Sequence, residues 1–199
     1  MLDRNLRGCL QRSILVVVLS LCSIAAAQEA KKTNLQQANS MAARGQYPEA
    51  LEHYQMAAKE EPKNPMLYHM WGRTLALTGD MPAAIEKYKK AVELAPKNIE
   101  LINDLGVALS ANGQFDEAVV ELRRVIEMSP KFVQAYNNLG VTYLQKGDYK
   151  QSAATFRESL KMQPKNTLIQ KKLQEAISRQ AAEDKATGEK APADKAPGD

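Results

Sequence analysis

The chain has 199 residues, 44% apolar and 25% charged, a balance ordinary for one folded soluble core or one short solenoid. Its formal charge is +4, and half of that lies in the first 27 residues, where Arg4, Arg7 and Arg12 face Asp3, so the rest is nearly neutral. So small an excess calls for neither a nucleic acid nor an anionic membrane as partner, and with both cysteines, Cys9 and Cys22, inside the same leader, disulfide and thiolate chemistry are excluded beyond it.

The leader is the first element. Its arginines precede an apolar run from Ile14 to Ala27 that only Ser20, Cys22 and Ser23 interrupt, and Ala25-Ala26-Ala27 offers the small residues a signal peptidase needs. Residues 1–27 are therefore predicted to be a signal peptide, cleaved before Gln28, and the remainder a periplasmic or secreted protein. The run falls short of the roughly 20 residues with which a helix crosses a bilayer. An uncleaved leader that anchors the chain is the alternative, and the one membrane contact the sequence suggests. Leu21 stands before Cys22 where lipid attachment requires Gly or Ala, which argues against a lipoprotein.

From Lys31 a period of 34 takes over. Pro62, Pro96, Pro130 and Pro164 recur at that spacing, and so do Gly45, Gly79, Gly113 and Gly147. Two independent markers sharing one period define four repeats, 31–64, 65–98, 99–132 and 133–166, each predicted to be a helix, a tight turn and a second helix. Ala38, Gly72, Gly106 and Gly140 share one position; Ala50, Ala84, Ala118 and Ser152 share another. These small residues are expected where the two helices approach closely, among large apolar neighbours that recur at spacings of three and four. The glycine at 45, 79, 113 and 147 is expected to end each first helix in the left-handed conformation. The proline ends each second helix, with Asn64, Asn98 or Asn166 in the turn beyond.

After the repeats, Leu168, Ile169, Leu173, Ala176 and Ile177 lie at helical spacing among Lys, Gln and Glu, which predicts a capping helix over 167–181. Residues 182–199 hold no large apolar side chain and are predicted to be a disordered, solvated tail.

The fourth repeat, with Tyr136-Asn137-Asn138-Leu139-Gly140, Tyr143, Gly147, Tyr149, Phe156 and Pro164, resembles the tetratricopeptide repeat family, and the resemblance covers residues 31–166. Ser152 and Ser159 depart from the usual alanines, and Asn34 and Gln37 make the first helix unusually polar, as a terminal repeat facing water would be. The resemblance implies an all-α solenoid, a right-handed superhelix whose first helices line a concave groove. It implies a protein or extended peptide as partner, no cofactor and no metal. The residues it places in that groove are His69, Met70, Arg73, Asn103, Asp104, Gln134, Asn137 and Asn138, with Leu35, Asn39 and Glu100 nearby. An asparagine amide can both donate to and accept from a peptide backbone, so Asn103, Asn137 and Asn138 stand out; family-typical surface polarity is the alternative reading for Asn137-Asn138. The chaperone-binding members grip a C-terminal carboxylate with lysines, asparagines and an arginine. The corresponding positions here, Leu35, Asn39, Met70, Glu100 and Asp104, retain only Asn39, so a free carboxylate is not the expected ligand.

His53 and His69 are the only histidines, without a HExxH spacing, and no GxSxG or phosphate-cradling loop occurs, so catalysis is not expected. His69 is assigned to the groove and His53 to the surface. The function implied is a non-catalytic interaction scaffold of the cell envelope. The alternative is an assembly factor for a pilus, secretion or outer-membrane complex, docking through its convex face or edges.

Overall fold

In the computed structural model, which describes residues 33–188, every regular element is an α-helix. The signal peptide expected at 1–27 and the end of the tail, 189–199, lie outside the described residues. None of the described helices is long and apolar enough to cross a membrane. The chain divides into two units, Met1–Pro62 and Lys63–Asp199.

The described residues of the first unit form one hairpin, α1 (Asn34–Ala43) and α2 (Tyr47–Glu60). Thr33 starts α1 with a capping box, its hydroxyl accepting from Gln36 N–H while the Gln36 side chain accepts from Thr33 N–H. Tyr54 is fully buried, and its hydroxyl donates to Asn39 Oδ1 at 2.7 Å. Asn34 is spent inside the hairpin, donating to Glu60 Oε1 at 2.6 Å and meeting His53 Nδ1 at 3.0 Å. His53, expected on the surface, is accordingly half-buried.

The second unit stacks three hairpins and a closing helix: α3 (Pro65–Leu77) with α4 (Met81–Leu94), α5 (Ile99–Ala111) with α6 (Phe115–Met128), α7 (Val133–Lys146) with α8 (Tyr149–Met162), then α9 (Thr167–Thr187). Successive helices pack on one another, and α5 also touches α7, so the first helices of these hairpins lie side by side. Gly79, Gly113 and Gly147 take φ of 88°, 79° and 89°, as expected. Left-handed backbone there lets the next residue's N–H turn back to the carbonyl five residues earlier: Asp80 to Leu75, Gln114 to Leu109, Asp148 to Tyr143.

The asparagines at the other turn do more than suit it. The Asn64 side chain accepts from Met66 and Leu67 N–H, Asn98 from Glu100 and Leu101 N–H, and Asn166 from Ile169 N–H. They cap α3, α5 and α9, while Phe132 at the same repeat position gives α7 no side-chain cap. Asn98→Ala is expected to lower stability by about 1 kcal/mol, read from the urea midpoint; an unmoved midpoint would remove the capping role.

The interior is held by a lock repeated in each hairpin. A Cβ on Gly72 would stand 3.1 Å from the Tyr88 ring, one on Gly106 2.7 Å from Leu122 Cγ, and one on Gly140 2.5 Å from Phe156 Cε1. The large side chain sixteen residues on therefore lies directly over the glycine, a close approach that the small residues at this position predict. Ser152 and Ser159, where alanine was usual, are fully buried with their hydroxyls satisfied, by Gly140 O at 2.8 Å and Asn137 Oδ1 at 2.5 Å.

Helix α9 buries Ile169 and Ala176, and Ala176 joins Leu144 and Ala153 in one cluster flanked by Tyr149, Leu173 and Ile177. It runs six residues past the expected end at 181. Disorder from 182 is thus corrected for 182–187, where alanines and a Gln180–Asp184 bond at 2.7 Å carry the helix on, to Gly188 at φ 73°.

Candidate protein-binding groove

The three first helices of the second unit are tied together by side chains at one recurring offset. His69 Nε2–H donates to Asp104 Oδ2 at 2.8 Å, Asn138 Nδ2 donates to Asn103 Oδ1 at 2.9 Å, and Ser110 Oγ donates to Gln145 Oε1 at 2.9 Å, each pair 35 residues apart. The offset is one repeat plus one residue, so each bond joins neighbouring first helices with a step of one position. Thr142 adds a buried bond to Ser110 Oγ at 3.0 Å.

This ladder decides what several predicted groove residues do. Asn103 is 1% exposed, and its amide also donates to Asp104 Oδ1 at 3.3 Å. The expectation of a surface amide is corrected there, because both ends of the side chain are used inside the protein, Oδ1 by Asn138 of the next first helix and Nδ2 by Asp104 of its own. Asn137 turns toward α8, where its Oδ1 accepts from buried Ser159, so it too serves packing. Asn138 is half-buried and spends its N–H on Asn103. His69 is mostly buried, with 12% of its side chain exposed, while the Asp104 carboxylate keeps 39%. Met70 is half-buried beneath the exposed Arg73, whose Nη1 lies 3.8 Å from Met70 Sδ. Gln134 and Glu100 are exposed on the first turns of α7 and α5.

Two clefts open along this face. One, of about 280 Å³, is lined by Arg73, Ala76, Met81, Tyr88, Asp104, Val107, Ala108 and Ala111; the other, of about 130 Å³, by Val107, Ser110, Ala111, Asn138, Val141, Thr142 and Gln145. Val107 and Ala111 form the wall they share, and Val107 is 42% exposed. Arg73, Asp104 and Asn138 thus come together along one face with an apolar ridge between them, and Asn103 and Asn137 lie behind it. The ridge was missed, although its signal was present: Val107 and Val141 follow Arg73 at intervals of 34.

The polar end of the larger cleft is electrostatically defined. Burial, and secondarily the Asp104 carboxylate, push the Tyr88 hydroxyl up to about 12, with Arg73 opposing, so the phenol stays neutral at physiological pH. Its ring lies 5.7 Å from that of His69. With His69 Nε2 aimed at a carboxylate and Nδ1 buried without a partner, the tautomer protonated at Nε2 leaves no orphan donor. A histidine–carboxylate pair could orient a base, but among the described residues no hydroxyl or thiol meets Nδ1. Among the described residues no three metal-ligating side chains converge.

A family model described as tetratricopeptide repeat matches residues 35–99 and 103–167. Solved structures of similar fold include MamA, 22% identical, with 78% of this chain on 85% of that one at a TM-score of 0.69. They also include YrrB, described as a TPR protein with an unusual peptide-binding site, 24% identical, with 80% of this chain on 84% of that one at 0.64. A chain of the APC/C hetero-tetramer Cut9-Hcn1 aligns over 72% of this chain and 29% of its own length at 20% identity and 0.61. No curated protein matches. Folds of this kind are generally non-catalytic interaction scaffolds.

Proposed function

Because the chain belongs to the tetratricopeptide repeat family, whose fold fits protein–protein interaction, we propose that it is an interaction scaffold holding an extended protein segment along the first helices of the second unit. The observation that carries this reading is the Val107 ridge between its two clefts. An apolar side chain of a bound segment can lie on either side of Val107, and polar groups remain to fix its backbone. Asn138 Oδ1 and Gln145 Nε2 make no bond among the described residues, so one acceptor and one donor flank the smaller cleft. Arg73, which no carboxylate pairs among the described residues, adds a positive charge to the larger one.

The working compartment is proposed to be the cell envelope, reached through the leader at 1–27. Its support is the arginine-flanked apolar run with the Ala25-Ala26-Ala27 processing site.

Val107→Asp places a charge on the ridge without touching the buried ladder. In pull-downs from an envelope extract it is expected to reduce captured partners about tenfold, with an unchanged melting temperature. Capture equal to wild type would remove the groove as the binding surface.

A further inference from the structure

On the opposite side of the same unit, between the second helices α4 and α6, a recess of about 450 Å³ reaches down to α5. Leu105 and Leu109 form its floor, Val92 and Val120 its walls, and Lys89 and Glu117 bridge its mouth at 3.1 Å. Val120 is 64% exposed, a large apolar side chain in water at the lip.

The next repeat shows what this space accommodates. Thirty-four residues on, Lys89 becomes Arg123, Val92 becomes Ile126, Leu105 becomes Leu139 and Leu109 becomes Tyr143. There the Tyr143 ring is 5% exposed, packed with Leu122 and Leu139 and flanked by Val119 and Ile126. Its hydroxyl accepts from Arg123 Nε at 3.1 Å and Nη2 at 2.8 Å. The chain thus fills one copy of the site with its own phenol and stops short at the other with a leucine. Leu105, the β-branched wall at Val92 and the rim cation at Lys89 are kept in kind as Leu139, Ile126 and Arg123, while the outer lip changes, Glu117, Val120 and Glu121 becoming Gln151, Ala154 and Thr155.

We propose that the recess between α4 and α6 receives a tyrosine side chain from a partner protein, its ring over Leu105 and Leu109 and its hydroxyl accepting from Lys89. Lys89 is half exposed, as is Glu117, so exchanging that surface pair for a phenol costs little. The remaining carboxylates of the rim, Glu93 and Glu121, are matched by Lys90 and Arg124, so the rim discriminates by shape and hydroxyl rather than by net charge. This site is separate from the groove and stands whether or not the groove reading does.

The test is an amide-shift titration of the full chain with N-acetyl-tyrosinamide, N-acetyl-phenylalaninamide and N-acetyl-leucinamide. Tyrosinamide is expected to shift the Val92, Leu109 and Val120 signals and to bind about threefold more tightly than phenylalaninamide. Lys89→Ala should erase that difference. Leu109→Tyr, which copies the next repeat, should abolish binding; Val120→Asp, at an exposed lip, tests the same point without disturbing the interior. Leucinamide binding as well as tyrosinamide, shifts confined to the groove, no shifts, or undiminished binding by the Val120 variant would each overturn the proposal.

Discussion

Phe156→Ala is expected to lower the unfolding free energy by about 3–5 kcal/mol, among the largest effects available to a single substitution in this chain. Phe156 is fully buried, and its ring lies over Gly140, so removing it opens a cavity at the crossing of α7 and α8. Gly140→Ala probes the same contact from below. Helix propensity alone would favour alanine by about 1 kcal/mol. A Cβ 2.5 Å from the ring of a fully buried phenylalanine outweighs this gain, at about 1–3 kcal/mol of overpacking. The two changes then compensate: the new methyl occupies part of the space the ring vacates, so the double variant should lose less than the sum of the singles. Urea unfolding of the four proteins checks it, and simple additivity would separate the glycine from the ring.

Asn103→Ala is expected to cost about 1–3 kcal/mol, more than a surface asparagine on a helix could. The half-buried Asn138 N–H loses its acceptor and Asp104 loses a donor. The readout is the melting temperature, which a residue waiting for a ligand at the surface would leave unchanged.

Most of the fold was legible because it is written four times. A glycine at φ near 80° and a proline after each second helix are local requirements, and a period of 34 makes them unmistakable. The resemblance to tetratricopeptide repeats carried the rest of the architecture. The groove was legible only by face. The resemblance puts Asn103, Asp104, Asn137 and Asn138 on the groove side of their helices, but does not say which amide points at a neighbouring helix and which at solvent. That choice is made by the one-position step between neighbours, which joins Asn103 to Asn138 and His69 to Asp104, and by Ser159, which draws in Asn137. The end of α9 was misjudged for a related reason. Large apolar residues stop at Ile177, yet alanine needs little burial to continue a helix already nucleated.

The lock of a glycine under a large side chain closes within one hairpin, and the lateral bonds keep the same offset at each junction. Excising residues 99–132 as a cassette would set Asn98 directly before Val133, supplying α7 with the cap that Phe132 lacks, and would bring Asn138 to the place Asp104 holds beside His69. An insertion of a single residue within α5, by contrast, would swing every later side chain of that helix about 100° around its axis and take Gly106 or Asn103 out of register. Change in whole modules is the kind of length variation this architecture tolerates.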